Sequence, residues 1–160
     1  QIRIMEIRPQ LASEYNLKWH SVLPEIHWSN ITRNTHYVCY GFTFYNMCFG
    51  IAIWSSPVAQ NRFKNGKEIL ELRRMALSRK CPKNTASRLL SLMRKMVFKK
   101  FPDVNLLISY QDKNIHSGTI YKADNWKFGK ETEFSTWQTE KRKRSRDQSL
   151  AKKVRWEYKR

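Results

Sequence analysis

Glycine, acidic residues and long apolar runs are all scarce in this chain of 160 residues. There are 5 glycines, and none lies between Gly66 and Gly118, so no glycine-rich phosphate loop is present in that interval. No apolar run reaches the ~18 residues of a membrane-spanning helix, and the N-terminal residues lack the layout of a signal peptide. We therefore expect neither membrane insertion nor secretion, and we expect a cytoplasmic location.

Cysteine is also scarce, and its spacing excludes two classes of small protein. Cys39, Cys48 and Cys81 are odd in number and form no CxxC pair, so the sequence predicts neither a disulfide framework nor a zinc site. Reduced thiols, as in the cytosol, are the simplest interpretation. Cys81 precedes Pro82 in a candidate phosphate loop, but a nucleophile needs a base partner that the sequence does not identify, so we assign it a structural role.

Positive charge dominates, with 31 Lys and Arg against 13 Asp and Glu and a net charge of +18. Such an excess indicates a polyanionic partner, most often nucleic acid. One cluster extends over residues 73–100, which contain no Asp or Glu, and a second lies at the C-terminus. The residues expected to contact DNA are Lys141, Arg142, Lys143, Arg144, Arg146, Lys152 and Lys153. The alternative is that both clusters are solvated surfaces.

The apolar content predicts one folded domain. Hydrophobic residues make up 41% of the chain and aromatic residues 13%, which is too much for a disordered protein. A chain of this length buries a substantial core. We expect a single domain over residues 1–160, with a basic C-terminal extension over about 139–160.

Hydrophobic periodicity predicts strands and helices in alternation. The first half is predicted as a strand at 1–9, a helix from Glu14 to His20 capped by Ser13, two strands within 36–56 that turn near Asn46, and a strand at 68–78. A helix follows from Thr85 to Lys100, with Asn84 as its N-cap, and then a buried strand at 104–110. The last predicted elements are a short helix from Thr119 to Asp124, a strand from Trp126 to Gln138 and a strand at 152–158. This order predicts a mixed α/β sheet.

The helix at 85–100 is predicted to be amphipathic. Its apolar positions are Leu89, Leu92, Met93, Met96 and Val97, and its polar, basic positions are Arg88, Ser91, Arg94, Lys95 and Lys99. The helix follows a strand and the loop RKCPKN directly. Backbone N–H groups at the start of such a helix bind phosphate, so this loop is a candidate pyrophosphate site; a capped helix with solvated cations is the alternative.

Asp112 is the best candidate for general acid and base chemistry, because it follows the buried strand at the sheet edge where α/β folds collect ligands. Ser109, Tyr110, His116, Ser117 and Tyr121 lie near it in sequence. Asp112 could take a proton from an amine, and Tyr121 could stabilise an oxyanion or protonate a leaving thiolate. Taken singly, each residue is better explained by a structural role, Asp112 as a turn former, Tyr121 as a core aromatic and His116 as a cap.

Aromatic side chains suit an enzyme that takes a base out of the DNA stack. The candidates are Trp28, Tyr37, Trp54, Trp126 and Trp137, although most of the 6 tryptophans are expected in the core.

The order of elements over residues 106–131, a buried strand, a short helix with a tyrosine and a second strand, resembles the acceptor side of GNAT acyltransferases. In that fold two neighbouring strands splay apart, and the tyrosine of the following helix faces the gap. The usual Q/R-x-x-G-x-G/A phosphate signature is missing here.

The chain also resembles the Mom family of phage and prophage DNA-modification enzymes, a divergent GNAT branch. The matching segments are WHSVLP with His20, ELRRMALS with Arg74, NTASRLLSLMRK with Ser87 and Arg88, and ISYQD followed by HSGTIYKADNW with Ser109, Asp112, His116, Gly118 and Tyr121. Lys113 and Ile115 stand where relatives often have Pro and Gly, so a different loop shape is expected after Asp112.

The resemblance implies a GNAT-like mixed α/β fold, with a mostly antiparallel sheet, a central splayed parallel pair and flanking helices. It implies acetyl-CoA or a related acyl-CoA as donor and double-stranded DNA as partner. The expected activity places a methylcarbamoyl or carbamoylmethyl group on the adenine N6 amine, which protects phage DNA from restriction in the bacterial host. The implied catalytic residues are His20, Ser109, Asp112 and Tyr121, and the implied cofactor-binding residues are Arg74, Ala76, Leu77, Asn84, Thr85, Ala86, Ser87 and Arg88.

Two other functions are compatible with the sequence. One is an ordinary GNAT N-acetyltransferase acting on protein or small amines, and the other is a non-catalytic DNA-binding protein. The sequence does not identify the nitrogen source of the transferred group, the preferred DNA sequence or the oligomeric state, with a homodimer among the alternatives. It also leaves undecided whether His20, His116 or Asp112 holds a metal.

Overall fold

The computed structural model describes residues 2–19, 26–58, 63–132 and 152–160. The strands are β1 (Ile2–Glu6), β2 (Tyr37–Phe44), β3 (Met47–Ser55), β4 (Ile69–Leu77), β5 (Leu106–Asp112), β6 (Lys127–Thr132) and β7 (Lys153–Lys159). The helices are α1 (Pro9–Trp19), α2 (Ser29–Thr32), α3 (Thr85–Lys100) and α4 (Thr119–Ala123), and a 3-10 turn spans Gly66–Glu68. Apart from α2 and the 3-10 turn, which lie in segments predicted as loops, the elements follow the predicted order.

The seven strands form one sheet in the order β1-β2-β3-β4-β5-β7-β6. All neighbouring pairs are antiparallel except β4 and β5, which are parallel. This arrangement confirms the predicted mixed α/β fold with a central parallel pair. Tyr45 and Asn46 make the turn between β2 and β3 with positive φ angles of 48° and 63°, so the hairpin turns where the sequence predicted it.

The sheet has a core on each face. On one face, β2, β3, β4, β5 and β7 pack against α3 and α4 around Trp54, Leu70, Leu90, Trp126 and Trp156. On the other face, Ala12 of α1 and Ile31 at α2 pack against Ile51 and Ile53 of β3. Leu107 and Ile108 of β5 are both fully buried, as expected of a strand covered on both faces.

Three local predictions were wrong, each for a reason that lies in tertiary contacts. The first helix begins at Pro9, which suits a first turn, and Ser13 lies inside it and donates a hydrogen bond to the Ile26 carbonyl oxygen at 2.5 Å instead of capping. In α3, Leu92 was predicted on the apolar side but is 48% exposed, whereas Leu90, which was not assigned to that side, is fully buried. Arg94, expected on the solvated face of α3, is half-buried and ion-paired with Asp124.

Candidate active site

The parallel strands β4 and β5 pair over four residues and then separate. Their register begins at Ile69 opposite Leu106 and ends at Leu72 opposite Ser109. Beyond that point β4 remains paired with β3 as far as Leu77, and β5 remains paired with β7 as far as Asp112. The two strands therefore stop pairing with each other beyond Leu72 and Ser109. We call this opening the gap.

A β-bulge in β4 lies where the gap begins. Trp54 of β3 is opposite Leu72, but the preceding Ile53 is opposite Arg74, so Arg73 is an extra residue in β4. A bulge changes the direction of the strand and redirects its side chains and amides. In this chain it turns β4 away from β5 and places two consecutive arginines at the gap.

Ser109 and Tyr121 meet at the same point. The Ser109 hydroxyl donates a hydrogen bond to the Leu72 carbonyl oxygen at 3.3 Å, and its Oγ lies 2.8 Å from the Tyr121 hydroxyl. Both residues are buried. Burial raises the pKa of the Tyr121 phenol, and the hydrogen bond with Ser109 opposes that effect only in part. Tyr121 is therefore a protonated phenol at neutral pH, and because the Ser109 proton is directed to Leu72, the phenol donates to Ser109 Oγ beside the gap.

Aromatic packing holds the Tyr121 ring in place. The ring stacks on Trp156 of β7, with centroids 5.5 Å apart and an interplanar angle of 10°. It meets Trp126 edge-on at 5.6 Å. Gly118 is the N-cap residue of α4, with φ +74°, and a Cβ at that position would lie 2.5 Å from Gln111 Oε1 and 2.7 Å from the Trp156 ring. Only glycine lets α4 lie this close to the sheet.

A buried ion pair fixes the other end of α4. Arg94 of α3 donates two hydrogen bonds to the Asp124 carboxylate, each at 2.9 Å, and its guanidinium lies 4.0 Å from the centre of the Tyr158 ring. Trp126 Nε1 donates to the same carboxylate at 2.9 Å. Although burial by itself would raise the pKa of Asp124, the hydrogen bonds from Arg94 and Trp126 hold it below its usual value. The pair therefore positions α4, and with it Tyr121.

Asp112 lies on the other face of the sheet from Tyr121. Side chains alternate along a strand, and Ser109 and Gln111 face α4, so Tyr110 and Asp112 face away from it. Asp112 is in register with Lys153, and its Oδ1 accepts a hydrogen bond from the Asn114 amide at 2.9 Å. The structure therefore brings Ser109 and Tyr121 together and places Asp112 across the sheet from them.

His116 is exposed and contributes its backbone to the loop before α4. Its amide donates to the Asp112 carbonyl oxygen at 3.0 Å, and its own carbonyl oxygen accepts from Gln111 Nε2. Among the described residues, no group of three or more His, Cys, Asp or Glu side chains is arranged to hold a metal ion. His20 lies outside the described residues.

The start of α3 compensates for the missing loop glycines with an asparagine. Asn84 has φ +65°, in the left-handed region, and its side chain makes no capping hydrogen bond, so the predicted cap was wrong in mechanism although Asn84 does precede the first helical residue. Ser87 Oγ donates to the Asn84 carbonyl oxygen at 3.1 Å. Thr85 is buried, Ala86 and Ser87 are half-buried and Arg88 is exposed. The Thr85 amide donates to the Pro82 carbonyl oxygen at 3.3 Å and the Arg88 amide to that of Asn84 at 3.2 Å, so the amides of Ala86 and Ser87 are the candidate phosphate donors.

The candidate cofactor residues of β4 are divided between the two faces of the sheet. Leu77 packs on the side of α3, whereas Arg74 and Ala76 face the side of α1 and α2. Arg74 donates from Nη1 to the Arg73 carbonyl oxygen at 2.7 Å. Burial, and then the neighbouring Arg73, lower the pKa of Arg74 to about 10. The expected cofactor residues thus do not form one surface.

Part of the expected DNA-binding set lies in the sheet itself. Lys152 is exposed and Lys153 begins β7, which pairs with both β5 and β6. Lys141, Arg142, Lys143, Arg144 and Arg146 lie outside the described residues. Among the aromatic candidates, Trp54 and Trp126 belong to the core, whereas Trp28 and Tyr37 are about two-fifths exposed; Trp137 lies outside the described residues.

Sequence reasoning missed Glu71 and Asp124. Glu71 is 9% exposed and its carboxylate accepts a hydrogen bond from the Val58 amide at 3.2 Å. Burial raises its pKa, and the nearby cations oppose the shift. A carboxylate in the otherwise apolar run EILEL was the available signal for Glu71. Asp124 left no comparable signal, because its partner is 30 residues away.

Comparisons with known proteins agree with this geometry. The model of the Mom protein family matches residues 2–160. An aminoglycoside acetyltransferase in complex with coenzyme A superposes with a TM-score of 0.69 at 10% identity, covering 100% of this chain and 95% of that chain. The ribosomal-protein-S18-alanine N-acetyltransferase from Escherichia coli gives 0.67 at 11% identity, with 99% and 94% covered.

A Bacillus subtilis acetyltransferase in complex with CoA gives a TM-score of 0.62 at 12% identity, with 99% of both chains covered. No curated protein has a significantly similar sequence. The fold is therefore that of GNAT acetyltransferases. None of the helices that the structure describes has the length and apolar character needed to cross a membrane.

Proposed function

The chain belongs to the Mom family, and on that premise we propose that it transfers an acyl-derived group from acyl-CoA to the N6 amine of adenine in double-stranded DNA. The observation that carries the proposal is the Ser109–Tyr121 pair at the point where β4 and β5 part. It supplies a protonated hydroxyl beside the opening between the two strands. The net charge of +18 favours a polyanionic acceptor over a small amine.

Acetyl-CoA or a related thioester fits the gap by two features. The strand edges at the gap suit the amides of a pantetheine arm, and the start of α3, with Asn84 in the left-handed conformation, suits a pyrophosphate. The thioester supplies an activated acyl carbon. Tyr121 would donate its proton toward the departing sulfur or hydrogen-bond the oxyanion, while Ser109 holds the phenol in position.

Asp112 is suited to remove the proton from the adenine amine. An exocyclic base amine is a poor nucleophile that must lose a proton as the new C–N bond forms. Asp112 lies at the end of β5 on the face opposite Tyr121, so a carboxylate and a phenol would act from opposite sides of the gap. A group of the methylcarbamoyl or carbamoylmethyl type contains a nitrogen that acetyl transfer does not provide, so the mass of the modified nucleoside distinguishes it from a plain acetyl group.

Mass spectrometry of nucleosides from the DNA of cells that express the protein tests the proposal. We expect a modified deoxyadenosine with wild type and none with the Tyr121→Phe variant. Unmodified nucleosides, together with acetyl transfer to a peptide or polyamine by the purified protein, would identify an ordinary N-acetyltransferase. DNA binding without measurable acyl-CoA binding in calorimetry would identify a non-catalytic DNA-binding protein.

A further inference from the structure

Cationic side chains gather on the sheet face opposite α3 and α4. Val154 and Trp156 of β7 lie in the core beneath α3, so the alternate residues Lys153 and Arg155 face the other side. Arg73 reaches the same side, because its Nη1 donates to the Asn30 carbonyl oxygen of α2 at 3.2 Å. We call this surface the cationic face, and its cations are Arg33, Arg73, Arg74, Lys153 and Arg155.

These cations are crowded and incompletely paired. Burial lowers the pKa of Arg73, and Arg33 lowers it further although Glu71 opposes the shift. The Nε atoms of Arg74 and Arg155 are buried and make no hydrogen bond among the described residues. The cluster therefore concentrates positive charge, which an anionic ligand at its exposed edge would stabilise.

Carboxylates on the same face do not cancel this charge. Glu157 pairs with Arg155, and Asp112 lies in register with Lys153. Glu71 is buried, and burial raises its pKa although the nearby Arg73, Arg74 and Lys153 oppose the shift. Five cations, Arg33, Arg73, Arg74, Lys153 and Arg155, thus stand against three carboxylates, Glu71, Asp112 and Glu157, so the cluster keeps an excess of positive charge.

The position of the cationic face points to one class of ligand. Arg73 is the bulge residue at the gap, so the cluster borders the opening through which an acceptor would reach the thioester. The start of α3, where the phosphates of CoA would bind, belongs to the other face of the sheet. Guanidinium groups match phosphate oxygens in charge and geometry.

We infer that the cationic face binds the phosphodiester backbone of DNA next to the adenine that enters the gap. The inference rests on the proposed function and adds the surface that holds the substrate. It places the duplex against β4, β7 and the segment after α2, and away from the exposed lysines of α3.

Salt-dependent binding of the full chain to a short DNA duplex, followed by fluorescence anisotropy, tests the inference. The test variant is Lys153→Gln with Arg155→Gln, and the matched control is Lys95→Gln with Lys99→Gln on α3; each removes two positive charges. The plot of log K against log salt, between about 50 and 200 mM, should lose about 1 unit of slope per removed phosphate contact in the test variant and keep its slope in the control. In the Arg33→Gln variant, the slope of log K against log salt should also fall by about 1 unit. Because Arg33 is exposed, its replacement should leave the stability of the fold unchanged.

Other results would overturn the inference in distinguishable ways. If the α3 control lost slope and the test variants did not, or if none of them did, DNA would bind elsewhere although the proposed function could stand. If calorimetry showed weaker CoA binding by the test variants and unchanged DNA binding, the cluster would belong to the cofactor. Failure of the wild-type chain to bind DNA would remove the proposed function itself, and a preference for an acidic peptide over the duplex would replace DNA as the partner.

Discussion

The Ser109 hydroxyl and the Tyr121 phenol lie 2.8 Å apart at the last paired position of β4 and β5. The Ser109 hydroxyl also donates a hydrogen bond to the Leu72 carbonyl oxygen at 3.3 Å. The phenol is therefore connected through Ser109 to the backbone of β4, at the point where β4 separates from β5. The orientation of the phenol is thereby tied to the opening of the sheet.

Tyr121→Phe should abolish or strongly reduce DNA modification and leave the fold intact. The change removes one buried hydroxyl and its hydrogen bond, which contributes about 1 kcal/mol to stability, while the stacking on Trp156 is retained. Nucleoside mass spectrometry, together with thermal unfolding, checks this. Tyr45→Phe, at an exposed tyrosine of the β2–β3 turn, is the matched control and should modify DNA normally. Full modification by the Tyr121 variant would remove the phenol from the chemistry.

Asp124→Asn should destabilise the protein by roughly 3–5 kcal/mol, because it leaves the buried Arg94 guanidinium without its counter-charge. Denaturant unfolding measures this difference. Glu6→Gln is the control, since its pair with Lys100 is exposed and should contribute less than about 1 kcal/mol. Equal effects of the two substitutions would contradict the assigned role of the Arg94–Asp124 pair.

The same pair predicts acid sensitivity. The pKa of Asp124 is lowered in the folded state, so its contribution to stability is complete above the unfolded pKa of about 3.9 and is lost as pH falls through the lower folded value. Glu71 acts in the opposite sense, because its raised pKa favours the folded state at lower pH. The difference in unfolding free energy between wild type and Asp124→Asn isolates the pair, and it should shrink below about pH 4. A constant difference down to pH 2 would mean that the pKa of Asp124 is not lowered.

Asn84→Gly should preserve acyl-CoA binding and stability, whereas Asn84→Ala should cost about 1 kcal/mol. The reason is the left-handed backbone at φ +65°, which glycine adopts freely and alanine does not. Thermal unfolding gives the stability, and calorimetry with CoA gives the affinity. If alanine were tolerated as well as glycine, the backbone at this position would not constrain the loop.

The amphipathic helix α3 and the buried strand β5 were predictable because their sequence periods are local. Thr85 and Lys100 bound the helix as the pattern indicated, and β5 required only a short apolar run. The start of α1 was not predictable, because Ser13 does not cap the helix but donates a hydrogen bond to the carbonyl oxygen of Ile26, 13 residues away. Arg94 was predicted as a surface residue because its partner, Asp124, becomes adjacent only when α4 docks on α3.

The sequence alone determined the alternation of strands and helices, the excess of positive charge and the residues Ser109, Asp112 and Tyr121 as candidates, because propensity, periodicity and charge are properties of short segments. Only the tertiary structure decided that Tyr121 meets Ser109, that Asp112 lies on the other face of the sheet, and that Arg73 is a bulge residue. Side-chain alternation and strand register set these relationships, and a shift of one residue in either would reverse the face to which each side chain points.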